Sequence, residues 1–151
     1  MGDRVFVDTN VLVYAYDRSE PHKQRRVLQV LDRLAVTGAG VISTQVLSEF
    51  FVAVTRKITV PLSVEEASER VKNYLQSWTV VDVTGMVLLE AIRGVQEHHF
   101  NFWDAQIWAT AKLNQVPVVF SEDFSAGSVT EGVKFITPFA DDFQLEHWSL
   151  Q

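Results

Sequence analysis

Along the chain, short solid runs of apolar residues alternate with longer stretches in which apolar positions recur every three or four residues. Arg4-Val5-Phe6-Val7 is β-branched and aromatic and reads as a strand, followed by a short helix over Val11 to Tyr16. Asp17 to Pro21 carries turn chemistry, and Pro21 suits the first position of a helix. Val27, Leu28, Leu31, Leu34 and Ala35 then follow at helical spacing until Gly38 and Gly40 break it. Val41-Ile42 makes a second short strand, and Ser43 or Thr44 caps a helix whose apolar stripe is Val46, Leu47, Phe50, Phe51 and Val54. Ser63-Val64-Glu65-Glu66 is a capping-box pattern that opens a helix running to about Gln76. Thr79 to Val83 reads as a strand, Thr84 to about Glu97 and Trp103 to Asn114 as helices, and Val116 to Phe120 as another strand. Lys134 to Thr137 is the last strand expected, before a tail holding Asp141 and Asp142. Strands that are apolar at every position are buried on both faces. Alternating with helices, they predict an α/β fold with a short central parallel β-sheet flanked by helices on both faces. With no linker, repeat or low-complexity tract, residues 1–151 are expected to form one domain, with 138–151 as a C-terminal tail.

Composition narrows the chemistry. The 151 residues include no cysteine, which excludes a disulfide scaffold, a thiol nucleophile and Cys-ligated metal centres. No apolar run approaches the roughly 18 residues of a membrane span, and Met1-Gly2-Asp3-Arg4 leads directly into a strand without a secretory pattern. A cytoplasmic protein without membrane partners is therefore expected. Thirteen Lys and Arg against nineteen Asp and Glu give a net charge of −6, which argues against coating nucleic acid by charge alone. It leaves room for an enzyme that meets nucleic acid through bound cations.

Open parallel sheets bind ligands beyond the carboxyl ends of their strands. Asp8 closes the first strand, Asp123 follows the strand ending at Phe120, and Glu49 lies in the second turn of the helix after Val41-Ile42. Asp104 points between Ile107, Trp108 and Ala111 on a helical wheel, where a carboxylate is costly unless compensated. Each acid also has a plain structural explanation. Asp8 or Asn10 serves as a helix cap, Asp104 as the partner of Asn101 in a capping box, Glu49 as a solvated flank residue, and Glu122 or Asp123 as a loop acid. Together at one sheet edge they point to a divalent cation relieving their repulsion. All-oxygen ligands favour Mg²⁺ or Mn²⁺ over zinc, and such ions suit phosphodiester hydrolysis by an activated water.

Val7-Asp8-Thr9-Asn10, Ser48-Glu49-Phe50, Asp104-Ala105-Gln106-Ile107 and Ser121-Glu122-Asp123-Phe124, in this order and spacing, resemble the PIN-domain ribonucleases, especially the small VapC-type toxins of toxin–antitoxin pairs. The resemblance covers about Phe6 to Ile136. It implies that Asp8, Glu49, Asp104 and Asp123 are catalytic, metal-binding acids, with Asn10 and Ser121 in support. It further implies a Mg²⁺- or Mn²⁺-dependent endoribonuclease that acts on RNA, forms a homodimer and is silenced by a cognate antitoxin. Which of Glu122 and Asp123 faces the metals is left open by the sequence, and the family pattern favours Asp123.

Two other readings compete. A haloacid-dehalogenase-like phosphatase also places Asp after its first strand, but position 10 here is Asn where that class resembles Asp-x-Asp. A non-catalytic RNA- or protein-binding module of the same fold is the other, although all four acid positions are filled. His22-Lys23-Gln24-Arg25-Arg26 and Arg56-Lys57 read as solvated or helix-end cations. Phe100, Phe102, Trp103 and Trp108 read as core or dimer-packing aromatics, and His98-His99 lacks a convergent ligand spacing.

Overall fold

The computed structural model describes residues 3–124 and 127–148; positions 1, 2, 125, 126 and 149–151 of the expected domain and tail lie outside the described residues. Strand β1 (Val5–Val7) is fully buried and runs straight into helix α1 (Thr9–Tyr14), because Asp8 caps the helix by accepting from the Thr9 N–H at 2.7 Å. α2 (Pro21–Thr37) starts on Pro21 and ends at Gly38, whose φ of 72° supplies the left-handed turn. β2 (Gly40–Ser43) passes without a loop into α3 (Thr44–Arg56), capped by the Ser43 hydroxyl on the Val46 N–H. α4 (Val64–Ser77) has the full capping box between Ser63 and Glu66, and β3 (Thr79–Val81) follows it. α5 (Gly85–His98) is capped by Thr84, and α6 (Phe102–Leu113) by Asn101. β4 (Val118–Phe120), β5 (Val129–Thr130), β6 (Val133–Ile136) and a 3₁₀ turn (Leu145–Trp148) complete the described chain.

The strands form one sheet in the order β3-β2-β1-β4-β6-β5. All neighbours are parallel except β5, which pairs antiparallel with β6. Every residue of β1, β2 and β4 is buried, so both faces of the sheet centre are covered. The fold is thus the α/β arrangement expected. Differences lie at its margins: α1 starts at Thr9 rather than Val11, β4 starts at Val118 rather than Val116, and β5 was not foreseen. That last strand has only two residues, turning through Glu131 and Gly132 with φ of 48° and 86°. Positive φ at both turn positions is the geometry of a tight hairpin.

α5 lies along α6, and the approach depends on Gly94. A Cβ there would come within 2.8 Å of the Trp108 ring. Trp108 is wholly buried and donates its indole N–H to the Thr130 carbonyl at 3.1 Å, tying α6 to the β5–β6 hairpin. The hairpin is held again at its tip. Glu131 accepts from Arg93 and His98 of α5 and from Lys112 of α6, and Glu90 pairs with the same Arg93 and Lys112.

Candidate active site

β1 sits between β2 and β4, and the chain fills β2 and β3 on one side before crossing to β4 on the other. This makes the gap between β1 and β4 the topological switch point. A cavity of about 1030 Å³ opens there, walled by α1, α3 and α6 and lined by Asp8, Glu49, Asp104 and Asp123 together. Four segments far apart in sequence bring their acids to one space.

Asp8 is the deepest, 5% exposed. Its Oδ1 accepts from the Thr9 N–H and its Oδ2 from the Ser121 hydroxyl, each at 2.7 Å. Burial pushes its carboxyl up to about 7 despite these hydrogen bonds, and the charges of Asp123 and Asp104 push the same way. Glu49 is half-buried. Its Oε1 accepts from the Thr9 hydroxyl at 2.7 Å and its Oε2 from the Gln45 amide at 3.3 Å. The Gln45 carbonyl oxygen in turn accepts from Gln106 at 2.9 Å, a buried link between α3 and α6. Asp104 accepts from the Asn101 amide at 2.7 Å, while its own N–H donates to the Asn101 side chain at 2.9 Å. It therefore belongs to a helix cap and lines the cavity as well. Burial raises its carboxyl above the ordinary range, helped by Asp123 and Glu49.

Ser121 is the hub. Its hydroxyl donates to Asp8 and accepts from the Asp123 N–H at 3.1 Å and from Asn10 at 3.4 Å. Asn10 also accepts from the Glu122 N–H at 3.3 Å, so both residues fix the loop after β4. Glu122 turns away from the cavity. Its carboxylate meets Tyr14 at 2.7 Å and Lys23 at 2.5 Å, and these partners outweigh burial to hold it below its usual range. Asp123 is the member of the pair that lines the cavity.

Among the described residues no Lys or Arg forms an ion pair with any of the four cavity acids. An all-oxygen, uncompensated donor set fits a hard divalent cation. No three of these acids converge closely: among the described residues, the group with ligand atoms all within 4.8 Å of one another is Glu97, His98 and Glu131. That group is already neutralised by Arg93 and Lys112. The wider spacing of the cavity acids suits an ion that retains part of its water shell.

Sequence reasoning did not single out Thr9, Gln45 and Gln106, which hold Glu49. Thr9 stands inside the Asp8-Thr9-Asn10 run, but the two glutamines carry no local signal and meet only in the folded chain. Trp103 departs from the expected packed aromatic. It is 61% exposed and lines the acid cavity, whereas Trp108 and Phe100 pack inside.

The family model for the PIN domain matches residues 5–129. No curated protein matches the sequence significantly. Among solved structures, the chain is similar to one in a toxin–antitoxin complex from Klebsiella pneumoniae, with 19% identity and a TM-score of 0.64 over 89% of this chain and 98% of that one. It is similar to VapC20 of Mycobacterium tuberculosis, a Sarcin-Ricin loop cleaving toxin, with 20% identity and a TM-score of 0.60 over 86% and 98% of the two chains. A chain of DNA-bound VapBC from Salmonella typhimurium gives 15% identity and a TM-score of 0.64 over 91% and 99%. At these identities the likeness establishes a shared fold.

Proposed function

Because this chain belongs to the PIN-domain family, we propose that it is a Mg²⁺- or Mn²⁺-dependent endoribonuclease and the toxin of a toxin–antitoxin pair. One observation carries the reading: Asp8, Glu49, Asp104 and Asp123, from four separate segments, line one cavity at the switch point of the sheet. Family membership sets aside the phosphatase reading.

Asp8, Glu49, Asp104 and Asp123 are the residues that would hold the ions. A bound divalent ion supplies positive charge that polarises the phosphodiester and acidifies water. The protein supplies the orientation. Ser121 and the Thr9 N–H hold the two Asp8 oxygens apart in fixed directions, and Thr9 with Gln45 does the same for Glu49. Asn101 steadies Asp104, and Ser121 with Asn10 places the backbone that presents Asp123. Asp8 and Asp104, both raised, hold protons more readily than ordinary carboxyls and give them up when positive charge arrives.

The partners follow the same reading: RNA as substrate, a second copy in a homodimer, and a cognate antitoxin of the kind that the toxin–antitoxin neighbours carry. We read residues 1–151 as one nuclease domain acting in the cytoplasm; no described helix is long and apolar enough to cross a membrane. The test is cleavage of a mixed RNA pool by purified protein. Mn²⁺ is expected to switch cleavage on and chelation to abolish it, with Asp8→Asn and Asp104→Asn each lowering the rate at least about 100-fold. Cleavage that survives both substitutions overturns the assignment.

A further inference from the structure

The cavity is elongated, and its two ends differ in chemistry. Gln45, Ser48, Glu49, Val52 and Ala53 of α3 and Lys57, the residue that caps its C-terminus, line it at helical spacing, so the cavity follows α3 along its length. From Gln45 to Lys57 the helix rises roughly 18 Å at 1.5 Å per residue. Trp103 lies at the Gln45 end, where its carbonyl oxygen accepts from the Gln45 amide at 3.4 Å. Its indole, 61% exposed, leans edge-to-face on Phe102 at 5.1 Å between ring centroids. Lys57 lies at the other end and is exposed. Among the described residues its ammonium engages no acid, although Asp17 lines the same cavity. Glu49 stands between the two ends on α3, with Asp8, Asp104 and Asp123 lining the same cavity, and Val52 and Ala53 make the α3 wall apolar on the way to Lys57.

We infer that this groove grips single-stranded RNA at two points: Trp103 stacks on a base at one end of the acid cluster, and Lys57 contacts a backbone phosphate at the other. This inference rests on the nuclease reading above and extends it to substrate binding. An exposed indole beside a carboxylate cluster gains little from water, and any base offers it a π-face. A free cation at the rim supplies the charge that the −6 protein otherwise lacks for a polyanion. Duplex RNA, whose bases are already stacked, offers Trp103 nothing. Both residues act by binding and positioning the strand, and neither touches the reacting phosphate.

The test uses fluorescence anisotropy with labelled single-stranded oligouridylate in Mg²⁺, in an Asp8→Asn background that stops turnover. Trp103→Ala is expected to weaken binding roughly 5- to 150-fold, the loss from removing one base–aromatic stack. Trp103→Phe restores most of it, as a merely polar or steric role would not. Lys57→Ala is expected to flatten the slope of log affinity against log salt by about 0.7, the value for one phosphate on a single strand, while Trp103→Ala leaves that slope unaltered. Melting temperatures matching the parent establish that the variants fold, as expected for two exposed side chains. Parent-like affinity in Trp103→Ala together with a parent-like salt slope in Lys57→Ala overturns the inference. So does a Trp103→Ala protein that keeps its RNA affinity but fails to bind a protein partner, since Trp103 then serves a protein interface. Asp8→Asn protein that cuts the probe at the parent's rate counts against the nuclease reading instead, so the two failures are told apart.

Discussion

Asp8 illustrates how one side chain carries structural and chemical duties at once. It caps α1, sits beneath the cavity and is held near pH 7 chiefly by burial. Because its carboxyl is raised from 3.8, the folded chain binds a proton that the unfolded chain releases between pH 3.8 and about 7. Stability of the metal-free protein should therefore fall as pH rises through that window, by up to about 4 kcal/mol from this group. Urea unfolding at pH 5 and pH 8 in chelator measures it, and Asp8→Asn should remove most of the difference. A metal-free protein that gains stability at the higher pH excludes this account. The sequence marks Asp8, Glu49, Asp104 and Asp123 because each follows a strand or interrupts an apolar stripe. It does not mark Gln45 or Gln106, whose hydrogen bond joins residues 61 apart. Glu122 and Asp123 are equivalent as written; Lys23 and Tyr14, about a hundred residues upstream, draw Glu122 aside.

At the level of elements, the caps explain why the main helices were legible. Ser43, Ser63, Thr84 and Asn101 each accept from a first-turn N–H, and each is a residue type that announces a helix start. β5 was not legible because two residues carry no periodicity, and its turn signal, Glu131-Gly132, is weaker than Asn-Gly or Asp-Gly. Two substitutions probe how α5, α6 and this hairpin lock together. Gly94→Ala should destabilise by about 1–3 kcal/mol despite the better helix propensity of alanine, because the new methyl meets the buried Trp108 ring. Thermal unfolding that shows a gain instead would mean that the ring can move aside. Glu131→Gln should cost about 1 kcal/mol at pH 7, a modest figure because solvent reaches much of the cluster. Arg93, the first of its partners, helps hold the Glu131 carboxyl down to about 2. Its contribution is present above pH 4.5 and fades as pH falls toward 2, so the variant and parent should converge in stability in acid.

The whole molecule is acidic, and the cavity at the sheet's switch point gathers four of those acids, none of them, among the described residues, in an ion pair with a Lys or Arg. Folding thus leaves these charges uncompensated, and the divalent ion of the proposed function would offset them. Saturating Mn²⁺, at about a hundred times its dissociation constant, should stabilise the fold by about 2.7 kcal/mol, which for a chain of this size is roughly 5–10 °C in melting temperature. Differential scanning calorimetry with and without Mn²⁺ checks this, and the shift should vanish in Asp8→Asn. An equal shift in that variant would place the ion elsewhere. At this scale the alternation of strands and helices gave the architecture correctly, since strands buried on both faces leave few other arrangements. The elongation of the cavity along α3, with Trp103 at one end and Lys57 at the other, emerged only once the helices were placed.

The order in which the sheet is filled has a consequence for how such a protein is made. β1 lies at the centre, yet its partner β4 and the Ser121 hydroxyl that steadies Asp8 come more than a hundred residues later in the chain. A polypeptide still attached to the ribosome and short of Asp123 has neither the sheet nor the full set of acids. If the chain cuts RNA as proposed, this order keeps the acid set incomplete, and the nascent chain inactive toward the RNA around it, until the segment carrying Ser121 and Asp123 has been made.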